Sequence, residues 1–188
     1  SIRFSHLRHV FLGHGDSEKS SSAHKVFRLY DEIWVAGQAH IDRFAKGGFD
    51  AEHLKFVKIG RPNLRGILEG EENPKEEGGS PSVFYLPTWE GVFEHANYSS
   101  LTVSNDILRT VHEALNAEGE IRVKFNPTTG TRDSSLRNIV RSLGKKLSDQ
   151  GIFPYIHENK EDISSLVGMA NIFICDISSV VTECLATG

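Results

Sequence analysis

Short apolar runs that stop at turn residues alternate with longer segments of helical periodicity along almost the whole chain, and this alternation restricts it to an α/β fold with parallel strands. Strands are expected at His9 to Leu12, Glu32 to Ala36, Leu54 to Ile59, Val83 to Leu86, Ile121 to Phe125, Ile152 to Ile156 and Ile172 to Cys175. Helices are expected at Ser21 to Tyr30, at about Gln38 to Lys46, within Tyr98 to Ala117, at Ser134 to Gln150 and, as a short piece, at Asp162 to Met169. A last helix should begin after Ser179; if Asp176 or Ser178 is only its cap, Val180, Val181 and Leu185 would fill the core. From Val83 onward the order is four strand–helix pairs, the doubly wound pattern of nucleotide-binding domains.

Residues 69–82, EGEENPKEEGGSPS, break the alternation: they are acidic, rich in Gly and Pro, and carry no apolar period. They read as a linker or exposed loop between a first lobe, 1–68, and a second, 83–188. Charged residues make up 24% and hydrophobic residues 38%, a soluble globular balance, and no run nears the roughly 18 apolar residues of a spanning helix. A net charge of −4 gives no global attraction to nucleic acid, which is therefore not an expected partner. The two cysteines, Cys175 and Cys184, fit no metal or redox motif and suit a reducing cytoplasm. The chain starts at Ser1 and stops where a helix should hand over to a further strand, so a piece of a longer protein is expected.

Several strand ends carry chemistry-bearing residues. Ile172 to Cys175 runs into Asp176, Ser178 and Ser179 at a helix start, where N–H groups and hydroxyls can meet a phosphate, and where a plain helix cap is the equal alternative. The first strand runs into Gly13, His14, Gly15 and then Lys19; a histidine between glycines suits a general base, and a structural turn is the commoner use. Lys124 precedes the turn Asn126 to Asp133, which offers N–H groups, an amide, hydroxyls and Arg132, or simply a loop with Thr131 or Asp133 as cap. Pro87, Thr88, Trp89, Glu90 and Gly91 form a third turn, with Trp89 able to stack on a base or to pack beneath the loop. Neither the dinucleotide glycine fingerprint nor the phosphate-loop signature is present. His157, Glu158, Glu161 and Asp162 follow no metal-ligand spacing and read as a solvated helix start, so no metal site is expected.

Six segments in order, GHGDSEK (13–19), YDEIWVAG (30–37), IGRPNL (59–64), LPTWEG (86–91), KFNPTTGTRD (124–133) and ICDISSVVTECLATG (174–188), resemble the CDP-glycerol glycerophosphotransferase family, the teichoic acid and capsule polymer polymerases and primases of bacteria. The similarity spans nearly the whole chain. It implies a GT-B type fold of two Rossmann-like lobes, with this chain covering the end of the first and most of the second. It also implies transfer of glycerol phosphate, or a related polyol or sugar phosphate, from a CDP-linked donor to a polymer or lipid-linked acceptor, with CMP released and no tightly bound cofactor. The work would take place in the cytoplasm on the inner membrane face, with peripheral membrane contact through parts absent from this chain. By the same resemblance His14 is the base. Asp176, Ser178 and Ser179 match the donor segment and Arg61 with Pro62 the segment between lobes; Lys19, Thr88, Lys124, Asn126 and Arg132 are further candidate donor- and phosphate-binding residues. The family usually has a His where Asn126 stands, and Asn cannot carry its charge. A sugar-nucleotide glycosyltransferase or epimerase of the same fold, and a non-catalytic nucleotide-binding lobe, are the competing readings.

Overall fold

In a computed structural model the described residues are 4, 6–12, 25–47, 53–68, 80–92 and 94–186. The chain divides into two compact units, Ser1–Arg65 and Gly66–Gly188. Both contain parallel sheets, so the α/β class expected from the alternation holds. No helix among the described residues is long and apolar enough to cross a membrane.

The first unit has the sheet order β1-β2-β3, from β1 (Val10–Leu12), β2 (Glu32–Val35) and β3 (Lys55–Lys58), with helix α1 (Gln38–Lys46) crossing between the last two. Ile33, Val35 and Phe44 are buried, with Phe27 and Leu54 closing the core. The helix expected at Ser21 to Tyr30 is, in its described part, a 3₁₀ turn at Lys25–Leu29. Three residues per turn put Phe27 and Tyr30 on one side, and both rings meet Phe11, at 4.3 and 5.1 Å between centroids. The short helix α2 (Arg65–Leu68) lies at the division between the units.

The second unit is built on four strands, β4 (Ser82–Leu86), β5 (Glu120–Val123), β6 (Tyr155–Ile156) and β7 (Ile172–Cys175), in the order β6-β5-β4-β7, all parallel. Helices α3 (Ser104–Ala114) and α4 (Ser134–Ser148) return the chain to β5 and β6. The chain then jumps to the other side of β4 to make β7 and the short helix α5 (Val180–Leu185).

Every residue of β4 is buried, as a central strand covered on both faces must be. Tyr85 faces a core of Leu101, Leu108, Leu136, Leu143 and Leu147 beneath α3 and α4. Phe84 and Leu86, one position off and so on the opposite face, meet Leu166, Val167, Ala170 and Cys184. Burying each such side chain contributes roughly 1.5–3 kcal/mol.

Two expected elements are shorter than their apolar patterns. The strand expected from Ile152 pairs only at Tyr155–Ile156. Helix α4 closes over Leu147, whose carbonyl accepts from both Gln150 and Ile152, with Gly151 at φ +77°, and Pro154 has no N–H to offer a ladder. Ile152 is thus drawn into the helix end. The helix expected at Asp162 to Met169 is a pair of 3₁₀ turns, Ile163–Ser165 and Val167–Met169.

Candidate functional site

The strand order reverses at β4, whose two neighbours are β5 and β7, and in open α/β sheets ligands bind at such a point, outside the carboxyl ends of the strands. A cleft of about 290 Å³ lies there. Thr88 beyond β4, Lys124 and Asn126 beyond β5, and Ser178 and Ser179 beyond β7 all line it. Its remaining polar wall comes from the segment after β6, with Asn159, Glu161 and Asp162, and from Glu183 of α5.

Asp176 does not line this cleft. Its Oδ2 accepts the backbone N–H of Thr88 at 2.7 Å and of Ser100 at 3.0 Å, tying the turns after β4 and β7 together. The alternative role of helix cap is not its role either, since the N-cap of α5 is Ser179, which makes no side-chain cap bond.

The turn after β5 is held from outside itself. Glu90, 6% exposed, accepts N–H groups of Gly130 at 3.0 Å, Arg132 at 2.9 Å and Asp133 at 3.1 Å. Burial alone would raise this carboxyl's pKa, and the backbone donors outweigh it and hold the pKa below the usual carboxylate range. The N–H groups of these three residues thus already have an anion, so the turn offers the cleft its Asn126 end. Asn126 Oδ1 accepts from Thr128 N–H at 3.0 Å and Thr128 Oγ1 at 2.7 Å, which leaves the amide NH₂ as its donor toward a ligand. Asp133 is the cap of α4, accepting from Ser135 N–H at 2.8 Å.

Lys124 is 7% exposed, and its Nζ donates to the carbonyls of Glu158 at 3.0 Å and Asn159 at 3.4 Å. Two of three donors are therefore engaged with the wall segment, and one remains for the cleft. Burial lowers the Lys124 pKa, while Glu161 and Asp162 push it back up.

His157 corrects the expectation of a solvated helix start, because it is 4% exposed. Arg122 Nη1 stands 3.4 Å from its Nε2, and since guanidinium only donates, the proton sits on Nδ1, 3.0 Å from Glu161 Oε2. Glu161 also accepts from Glu158 N–H at 2.6 Å, and these two bonds, His157 first, lower its pKa. The cleft wall is a braced segment.

Other expected site residues lie elsewhere. His14 and Lys19 fall outside the described residues. Arg61 belongs to the first unit, ahead of the 3₁₀ turn Pro62–Leu64. Arg132 is exposed and Trp89 half-buried, and neither side chain lines the cleft. Glu161, Asp162 and Glu183 are cleft residues that the sequence did not mark, since their approach depends on which strands are neighbours. Among the described residues no group of three or more His, Cys, Asp or Glu side chains is placed to hold a metal ion.

No family model matches the chain, and no curated protein does. Among solved structures it is similar to the α,α-trehalose-phosphate synthase (UDP-forming) of Burkholderia vietnamiensis, at 13% identity and a TM-score of 0.45, over 95% of this chain and 48% of that one. The chain thus spans about half the length of the solved structure it matches.

Proposed function

We propose that the cleft of the second unit holds the nucleotide-linked donor of a transferase. The donor in this reading is CDP-glycerol or a related CDP-polyol, and the acceptor is a hydroxyl of a teichoic acid or capsule polymer. The observation that carries it is the convergence of Ser178, Ser179, Asn126 and Lys124 on one cleft at the strand-order reversal, in the segments on which the family resemblance rests. In the reaction the acceptor oxygen attacks the phosphorus that bears glycerol. Its bond to the bridging oxygen breaks, CMP leaves with that oxygen, and the acceptor proton passes to a base, for which His14 is the candidate. Such a base contributes on the order of 10² to 10⁴ in rate.

The cleft's charges divide the donor between its walls. Glu161, Asp162 and Glu183 outnumber the one ammonium, which favours the hydroxyl- and amino-bearing part of the ligand along that side. Hydroxyls of Ser178 and Ser179, the Asn126 amide and the third N–H of Lys124 suit phosphate oxygens on the other.

The test is nucleotide release by the protein, given CDP-glycerol, CDP-ribitol or UDP-sugars with a polyol phosphate acceptor. CMP release that disappears in S178A/S179A supports the reading. Release of UDP alone replaces it with sugar transfer, and release of no nucleotide refutes it.

A non-catalytic nucleotide-binding lobe is the second reading, favoured by the missing charge at Asn126 and by the engagement of Lys124 with two carbonyls. N126H separates the two: turnover gained over wild type speaks for a weakened enzyme, and binding without turnover in both forms speaks for the lobe.

A further inference from the structure

We infer that Glu90 is a positioning residue of the cleft, an internal anion seated in the N–H concavity at Gly130, Arg132 and Asp133 that fixes the turn bearing Asn126 and Pro127. The turn has one well-determined shape. Gly130 sits at φ +75°, in the left-handed region, and a Cβ there would meet Arg137 Cβ at 2.7 Å and Arg137 N at 2.8 Å. With its N–H on Glu90, Gly130 also gives its carbonyl to Arg137, whose Nη2 donates at 2.7 Å and Nε at 3.2 Å. The peptide groups around Gly130 are thus gripped by a carboxylate on one side and a guanidinium on the other.

From there the chain is bonded back to the cleft in short steps. Thr131 N–H donates to the Thr128 carbonyl at 3.1 Å, Thr129 N–H to the Asn126 carbonyl at 2.9 Å, and Thr128 to Asn126 Oδ1. Asn126 and Pro127 are cleft residues, so the orientation of the Asn126 amide depends on Glu90, which does not itself line the cleft. Backbone N–H groups gathered in such a concavity ordinarily attract a free anion. Here the anion is covalently attached, and it comes from the turn after the neighbouring strand β4. It keeps a substrate phosphate out of that concavity and directs it to the serine and lysine side of the cleft. That last consequence rests on the donor reading above; the hold on the turn does not.

The side chain lost in Glu90→Ala is a CH₂–COO⁻ group, nearly acetate itself, which makes the role testable by chemical rescue. The 188-residue chain is compared as wild type, E90A and E90Q in chloride and in sodium acetate of equal ionic strength, by melting and by amide hydrogen exchange. In wild type, Gly130, Arg132 and Asp133 should be protected and acetate should change nothing. E90A should lose protection at those three and also at Thr128 and Thr129, and melt lower. Acetate should restore both, and CDP affinity, weakened several-fold in E90A, should recover with them.

A purely general loss of stability would not be repaired by one small carboxylate. Should E90A not fold, E90Q carries the exchange measurement, with an acceptor kept and the charge removed. Fast exchange at the three amides in wild type overturns the inference, as does unchanged protection at Thr128 and Thr129 in the folded variant, or a loss that acetate does not reverse. If wild type binds no CDP, the donor reading fails while exchange and rescue still decide what Glu90 does.

Discussion

The carboxylate of Asp176 lies 2.7 Å from the backbone N–H of Thr88, so the turns after two neighbouring parallel strands share one acceptor where the sheet order reverses. Removing it leaves two N–H groups, of Thr88 and Ser100, without their partner. D176A should therefore cost about 2–3 kcal/mol, because bonds to a charged group are among the stronger ones. D176N keeps an amide oxygen as acceptor and should cost less. Urea unfolding measures both, and a midpoint for D176A equal to that of wild type would show that the tie contributes nothing.

The pH dependence of stability should carry the signature of Glu90. Its folded-state pKa is depressed below the ordinary 4.5, so its contribution is complete above that value and is lost as pH falls through the lower folded one. The margin of wild type over E90Q should accordingly be constant near neutrality and shrink below pH 4.5. Urea midpoints of both proteins across the acid range check this, and a margin that widens on acidification would reverse the sign.

Two glycines near α4 should respond oppositely to alanine. G130A places a Cβ against the Arg137 backbone at a positive φ and should destabilise by about 1–3 kcal/mol. Gly144 is inside α4, and a Cβ there meets only the Cδ1 tip of Ile156 at 3.2 Å. G144A should be neutral or stabilising by up to ~0.5 kcal/mol, since alanine suits a helix interior better. Melting curves of the pair test the difference.

Cys175 and Cys184 have sulfurs 3.8 Å apart, one at the end of β7 and one in α5. The hydrogen bond between them lowers the Cys175 pKa, and the same bond, with burial, raises that of Cys184. Cys175 should be alkylated first by iodoacetamide, and C184A should slow it by removing the donor. Peptide mass mapping over time reads the order, and faster labelling of Cys184 would contradict it.

What was legible in the sequence is what depends on neighbours in the chain. Phe84 and Leu86 against Tyr85, and Leu136, Leu143 and Leu147 on one side of α4, follow from periods of two and 3.6 residues within a strand and a helix that the sequence marks. Asp133 as a cap was among the readings for the same reason. The residues that organise the cleft act at a distance. Asp176 reaches back 88 positions and Glu90 reaches forward 40, and nothing local separates such carboxylates from surface ones. Glu161 and Asp162 looked like a solvated helix start, and the β6 crossover brings them to the cleft instead. Ile152 misled because an apolar residue that closes a helix and one that opens a strand look alike until Pro154 is weighed.

The 88-residue span of the Asp176 to Thr88 bond has a consequence for biosynthesis. Strands β4, β5 and β6 emerge from the ribosome in order and each can settle beside its predecessor, but the strand that completes the cleft must dock on the far side of the first. Until Asp176 has cleared the exit tunnel, the Thr88 N–H lacks its carboxylate partner and the cleft lacks the wall that Ser178 and Ser179 supply. A nascent or prematurely terminated chain ending before β7 would expose one bare edge of β4, a site where chaperones and misassembled copies compete.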